Sequence, residues 1–220
     1  MIMNLKNYEN QIGLLKHTVG NVTQWYWPST DKYTFGIILH DWENGIKPLL
    51  AEHFTERNGT VIQAGGNSGL YPFVLQEFFQ RVYTFEPDPL SFFCLTLNCQ
   101  MPSITMMNCA IGEEPGTVTM HERDPNNRGM NCVVPTEGAQ IPVVALDSFG
   151  FNDVKLMQLD LEGFEPQALR GAIDTINRCH PMLILECADN YDDVFKIIEP
   201  LGYKPLAKIT RLDTVFTYQS

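Results

Sequence analysis

The 220-residue sequence predicts a single α/β domain, a mostly parallel sheet with helices on both faces. Three observations lead there. Strand-like and helix-like segments alternate from residue 60 to 110, the alternation returns after residue 153, and the last two strand-like segments are too close together for a helical crossover.

TVIQA (60–64) is a short apolar run that reads as a buried strand, and the loop GGNSG separates it from LYPFVLQEFFQ (70–80), where apolar residues recur at helical spacing. RVYTFE (81–86) predicts a second strand, PDPLSFFCLTLNCQ a second helix and SITMMNCA (103–110) a third strand. Crossovers of this kind are right-handed because strands twist one way. Residues 112–145 break the rhythm with short strand-like pieces (GTVTM, NCVVP, QIPVVAL) around the polar loop HERDPNNRG and predict an irregular insertion. DVKLMQLD (153–160), the helical EPQALRGAIDTINRC, the strand PMLILEC (181–187) and a helix near YDDVFKIIEPLG restore it. YKPLAKI and DTVFTYQ predict an antiparallel hairpin at the sheet edge. Upstream, GIKPLLAEHFTERNG predicts a helix ending at Gly59. Residues 1–43 are rich in polar and aromatic residues without a sustained period and predict a cap or lid on a domain spanning 44–220. The aromatics Trp25, Tyr26, Trp27 and Trp42 either cover the sheet edge or stack on a planar ligand.

Composition narrows the partners. With 44% apolar and 19% charged residues the chain can bury a sizeable core. Its 26 acids and 15 bases leave a net charge of −11, most of it in residues 111–220, which hold 17 acids against 9 bases. No cluster of lysine or arginine exists to neutralise a phosphate backbone, so neither nucleic acid nor an anionic membrane is expected. No apolar run approaches the roughly 20 residues of a membrane span, and the polar start MIMNLKNYENQ lacks the plan of a signal peptide, which predicts a cytoplasmic protein. The six cysteines show no CxxC spacing and read as buried free thiols. None of the five histidines falls clearly on the expected binding rim, so each reads as structural. Nothing in the sequence sets an oligomeric state.

Ligands of open parallel sheets bind at the carboxyl ends of the strands, near the point where strand order reverses. That places Gln63 to Gly69, Glu86 to Asp88, Cys109 to Gly112, Asp160 to Gly163 and Glu186 to Asn190 on one rim. The glycines after the first strand permit close backbone approach. Glu86, at the end of the second strand about 21 residues beyond Gly65, stands where an acidic side chain accepts from both hydroxyls of a ribose. Together they point to an adenosine ligand. Gly65, Asn67 and Gly69 depart from the G-x-G-x-x-G spacing of dinucleotide sites, and the chain lacks room for a dehydrogenase substrate domain. A nucleoside bearing a cationic sulfonium, S-adenosylmethionine (SAM), suits an acidic rim better.

The blocks VIQAGGNSGLYPFVL, RVYTFEPDPLSFFCLTLN, MNCAIGEEPGTVTM, IPVVALDS, LMQLDLEGFEPQALRGA and PMLILEC resemble, in the same order, those of the FkbM family of SAM-dependent methyltransferases. The similarity runs from about residue 44 to the end. It implies a Rossmann-like class I methyltransferase fold, a seven-stranded, mostly parallel sheet with its last strand antiparallel. By the same resemblance Gly65, Asn67 and Gly69 line the methionine half of SAM, Glu86 holds the ribose with Asp88 beside it, and the Asn108, Cys109, Ala110 stretch edges the adenine. Gln63 stands where the family usually has an acid; its amide oxygen can accept but cannot neutralise a cation. The implied acceptor is a hydroxyl of a small molecule or glycan.

Asp160 and Glu162 match the family's D-x-E-G block and are the candidate general bases, Asp160 first. Asp160 could instead hold the SAM amino group and Glu162 could cap the following helix. With Glu186, Asp160 could also form an oxygen-rich Mg²⁺ site, although spacing alone supports it and no metal ligand is assigned. Two other readings follow from the same residues. The Gln63 departure and the missing histidine base motivate a binding or assembly module without turnover, and the fold alone would admit a nicotinamide oxidoreductase.

Overall fold

The structure, a computed structural model, describes residues 9–136 and 140–219. The chain opens with an antiparallel hairpin of β1 (Ile12–Leu15) and β2 (Trp25–Pro28), followed by α1 (Thr34–Asp41), a π-helical turn (Trp42–Ile46) and α2 (Lys47–His53). The predicted alternation then runs as β3 (Thr60–Ala64), α3 (Leu70–Leu75), β4 (Arg81–Phe85), α4 (Pro89–Asn98) and β5 (Ile104–Met107). Four short strands follow: β6 (Ala110–Ile111), β7 (Gly116–His121), β8 (Cys132–Val134) and β9 (Ile141–Val144). The second half of the alternation is β10 (Val154–Leu159), α5 (Glu165–Arg170), α6 (Ile173–Cys179), β11 (Met182–Glu186) and α7 (Tyr191–Ile198), and the chain closes with β12 (Tyr203–Lys208) and β13 (Asp213–Tyr218).

Seven strands form the main sheet in the order β12-β13-β11-β10-β3-β4-β5. β13 runs antiparallel to both neighbours, while β11, β10, β3, β4 and β5 pair in parallel. The antiparallel hairpin foreseen at the sheet edge is therefore present. From β3 the chain builds outward through β4 and β5, then restarts at β10 on the other side, so strand order reverses between β3 and β10. Side chains alternate between faces: Val61, Val82 and Ile184 join one core cluster, Ile62, Leu183 and Leu185 the other. Helices α5, α6 and α7 cover the second face through Leu169, Ile176 and Val194.

The first face is covered in large part by the N-terminal segment. Trp25, Trp27 and Trp42 are all buried, with Trp25 edge-on to Phe73 at 5.0 Å. Asn98 of α4 pairs with the backbone of Tyr26 in β2, accepting from its N–H at 2.9 Å and donating to its carbonyl at 2.8 Å. Of the two roles open to the aromatics, covering the sheet is what these tryptophans do.

The structure corrects three local expectations. The strand-like pieces expected within 112–145 are β7, β8 and β9, but they are not an irregular insertion: with β6 they form a second, four-stranded sheet, a pairing that short strands do not reveal in sequence. The third strand ends at Met107 and not at Ala110, because the Asn108 amide donates to the carbonyls of Glu86 (2.8 Å) and Pro87 (3.3 Å) and turns the chain toward the second sheet. The helix expected over EPQALRGAIDTINRC breaks into α5 and α6 at Gly171, where the carboxylate of Asp147 accepts from the N–H groups of Asp174 (3.0 Å) and Thr175 (2.8 Å) and starts α6 afresh.

Gly171 is also where the end of α5 packs against the chain leaving β6, since a Cβ there would fall on the carbonyl oxygen of Gly112. Gly171→Ala should lower unfolding stability by about 1–3 kcal/mol. Gly116→Ala, with open space around it, should stay within about 0.5 kcal/mol. Denaturant melts of the two variants check this, and equal stabilities would refute it.

Candidate active site

A cavity of about 470 Å³ opens at the carboxyl ends of β3, β4, β10 and β11, at the reversal of strand order. All six acids predicted for the rim line it: Glu86, Asp88, Asp160, Glu162, Glu186 and Asp189. None of the five histidines does.

The floor is the loop between β3 and α3. Gly65 has φ +37°, and a Cβ on it would meet the backbone oxygen of Asp160, so the loop lies directly against the end of β10. Gly65 and Asn67 line the cavity. Asn67 takes the left-handed conformation (φ 44°), which few residues other than glycine accept without strain. Gln63 and Gly69 do not face the cavity, contrary to the sequence expectation. The Gln63 side chain is fully buried, its amide donating to the Gly65 carbonyl at 2.9 Å while Thr84 Oγ1 donates to its oxygen at 2.5 Å. It shapes the loop from behind. Gly69 packs against Cys99 and starts α3.

Glu86 ends β4 with its carboxylate held by two backbone donors, Asn67 N–H to one oxygen and Asp88 N–H to the other, each at 2.6 Å. Each oxygen keeps a lone pair for a further donor. Burial, with the Asp88 charge second, pushes its pKa up to about 8. Asp88 caps α4 by accepting from Leu90 N–H at 2.9 Å and pairs its other oxygen with Arg128 and with the Asn131 amide at 3.1 Å. Its bonds are structural, although it lines the cavity. Asn108 is spent on the Glu86 and Pro87 carbonyls, whereas Cys109 and Ala110 do line the wall.

On the opposite side Asp160, Glu162 and Glu186 each bring a carboxylate oxygen within 4.8 Å of the others. Burial, with the Glu186 charge second, raises the pKa of Asp160 well above the ordinary range, and burial raises that of Glu186 as well. Glu162, in the left-handed region at φ 54°, is pushed up to about 7 by burial and by Glu186. Arg123 holds it, with Nη1 on its carboxylate at 2.8 Å and Nη2 on its carbonyl at 3.0 Å. Three converging carboxylates could hold a cation, but Arg123 already pairs with one of them. Glu162 does not cap α5; the fully buried Glu165 organises the turn, accepting from Leu161 N–H (2.7 Å), Gly163 N–H (3.1 Å) and the Asn190 amide (2.7 Å). Sequence reading missed Glu165, though an acid before Pro166 at a helix start is a recognisable signal.

It also missed the roof. Loop 124–131 reaches across to α1: Thr34 Oγ1 donates to Asn127 at 2.8 Å, Gly129 N–H donates to Thr34 Oγ1 at 3.2 Å, and Lys32 N–H donates to the Asn126 carbonyl at 2.9 Å. Thr34, Ile38 and Asp41 of α1 and Arg128 and Asn131 of the loop thereby line the cavity. Contacts between residues some 93 positions apart leave no local trace.

Strand order, switch-point cavity, glycine loop and strand-end acid together define a class I methyltransferase fold. Comparison with known proteins takes this one step further. The family model described as Methyltransferase FkbM domain matches residues 63–205, and the chain belongs to that family. "Methyltransferase 1" of Beauveria bassiana (strain ARSEF 2860) is 23% identical over 164 residues, spanning 60% of this chain and 66% of the fungal one. The crystal structure of Methyltransferase FkbM from Methylobacillus flagellatus KT superposes with a TM-score of 0.53 at 20% identity, over 73% of this chain and 44% of that one. The chain thus spans less than two thirds of either relative. Among the described residues no helix is long and apolar enough to cross a membrane.

The raised carboxyl groups carry a stability consequence. A carboxyl whose folded pKa exceeds its ordinary value holds more protons folded than unfolded, so its stabilisation is complete below that ordinary value and is lost as pH rises through the folded one. For Glu86 and Glu162 the ordinary value is 4.5 and the folded values are about 8 and about 7. The ligand-free protein should therefore lose stability steadily from about pH 5 to pH 8. Asp160→Asn, removing one acid from the cluster, should flatten that slope. Urea midpoints across the range test it, and midpoints that hold or rise with pH would refute it.

Proposed function

We propose that the protein is a SAM-dependent methyltransferase acting on an oxygen of a small molecule or glycan. The observation that carries this is the Glu86 carboxylate, fixed by two backbone N–H groups beside the glycine loop with both oxygens free to accept again. The residues fit the cofactor in other respects. The loop at Gly65 leaves no side chain between backbone and cavity, and Cys109 and Ala110 offer a small-residue wall for a flat base. The volume of about 470 Å³ suits a nucleoside-sized ligand. Family membership supports the same reading.

When bound, SAM supplies a methyl carbon activated by the adjacent sulfonium, and the carbon–sulfur bonding pair departs with sulfur. The chain's own work is to position the acceptor oxygen in line with that carbon and to take its proton. Asp160 and Glu162 are the groups proposed for the proton. Asp160, raised above the ordinary carboxyl range by burial and by Glu186, lies where it would take the acceptor's proton once a cation beside it favours its ionised form. Glu162, at about 7, is poised near neutrality while Arg123 fixes its direction. Loop 124–131 closes the roof and limits water. Gln63 lends no support to a binding-only reading, because its amide is spent on Gly65 and Thr84 and its lack of charge never reaches the cavity.

Calorimetry with SAM and its demethylated product S-adenosylhomocysteine (SAH) tests the cofactor reading, and absence of binding at millimolar ligand would overturn it. Glu86→Ala should weaken SAH by about a hundredfold, the worth of two hydrogen bonds; an unchanged affinity would refute the ribose assignment. Asp160→Asn should abolish turnover while SAH still binds, and retained activity would remove Asp160 from the proton step.

A further inference from the structure

The inner end of the cavity holds more negative charge than the proposed cofactor can meet. Asp41 of α1, Asp160, Glu162, Glu186, Asp189 and Asp213 at the start of β13 all line it. Among the described residues the cavity's other base, Arg128, is committed to Asp88 and Glu122, leaving Arg123 to face these acids. Of the six, Glu162 is paired with Arg123, Asp41 lies beside the exposed His40 at 3.1 Å, and Asp213 accepts from Thr210 Oγ1 at 2.6 Å, which leaves Asp160, Glu186 and Asp189 without a basic partner among the described residues. SAM, with an ammonium, a sulfonium and a carboxylate, contributes one net positive charge.

A second observation marks the same place. Tyr71 of α3 lines this end at 6% exposure. The acids whose charge bears on its hydroxyl are Asp213, Asp160, Asp41 and Glu186. Among the described residues that hydroxyl has no hydrogen-bond partner. The side chain is otherwise buried, but its oxygen is not sealed off and so is open to the cavity. Here it faces the cavity amid acceptors and bonds to none of them.

We propose that this end binds an ammonium group on the acceptor, with Asp41, Glu186 and Asp213 as charged partners and the Tyr71 oxygen as a neutral one. The inference rests on the SAM reading and names the acceptor class: an amine-bearing molecule such as an amino sugar. An ammonium offers three donors that can point to acceptors on different elements. A Mg²⁺ ion instead demands near-octahedral oxygens at about 2.0–2.1 Å. Asp41 and Asp213 lie outside the group of three carboxylates that approach one another within 4.8 Å, and Glu162 inside it is held by Arg123. Tyr71, kept protonated by burial and by its acidic neighbours, is a poor metal ligand and a good hydrogen-bond partner. A cation here also stabilises the ionised form of Asp160, linking acceptor binding to the readiness of the base.

Calorimetry on the SAH-loaded full chain tests the proposal with glucosamine, glucose, N-acetylglucosamine and magnesium chloride as separate titrants. Glucosamine should bind at least about tenfold more tightly than either neutral sugar. Tyr71→Phe and Asp213→Asn should each reduce glucosamine affinity by about tenfold while SAH affinity, which also reports an intact fold, stays unchanged. Equal binding of all three sugars, binding of none, or Mg²⁺ binding that Asp213→Asn leaves intact while glucosamine fails would overturn the proposal. Failure of SAH itself to bind would overturn the cofactor reading and this inference with it, whereas SAH binding without discrimination between the sugars overturns this inference alone.

Discussion

The N–H of Asp160 donates to the carbonyl of Ala64 at 2.8 Å, and at the next residue, Gly65, the Asp160 carbonyl occupies the space a side chain would need. This backbone contact ties the ends of two strands that come from opposite halves of the chain, and it decides what stands around it. The loop after β3 must begin with glycine and must be steadied from beneath, which Gln63 does through the Gly65 carbonyl. Asp160 must then project beside the loop, within reach of whatever the loop holds. A larger residue at 65 would open the switch point and separate the proposed cofactor loop from the proposed base in one step.

A second chain of interactions couples the floor to the roof. Glu86 accepts from Asp88 N–H, Asp88 caps α4 and pairs with Arg128, and the loop carrying Arg128 docks on Asp31 and Thr34 at the start of α1. These links are all made inside the protein, although the Nε of Arg128 is left without a partner among the described residues, and together they couple the elements they join. The N-terminal segment serves two purposes as a result. Its tryptophans are core for the sheet, and the polar start of α1 is the seat of the roof.

How much of this the sequence shows depends on the range of the interaction responsible. β3 and β4 follow from short apolar runs bounded by glycine and charge, and Glu86 stands out because its place at a strand end is set by spacing alone. Gln63 is different. On a strand buried on both faces, composition does not tell which way a side chain points, so a floor residue reads like a ligand residue. The split between α5 and α6 is hidden for a related reason: the carbonyl that crowds Gly171 belongs to Gly112, distant in sequence and just beyond β6. Tyr71 reads as one more aromatic in an apolar helix, and only the fold brings Asp41, Asp160 and Asp213 around it.

The distribution of charge in the cavity gives the proposed ligands a direction. At one end Asp88 is balanced by Arg128, and the small Cys109 and Ala110 wall is neutral. At the other, acids from α1, β10, β11 and β13 outnumber the single arginine that faces them. A molecule with a neutral flat base and a cationic tail placed with its tail toward the second end gains attraction from every acid there. Reversed, it would meet Arg128 and leave those carboxylates facing only one another. Burial first, and the mutual repulsion of the acids second, raise the pKa values of Asp160 and Glu162. The same field that orients the cofactor also selects what can sit beyond its methyl group. A neutral hydroxyl compound would have to displace water from carboxylates without compensating them, whereas an acceptor bearing an ammonium supplies the compensation itself.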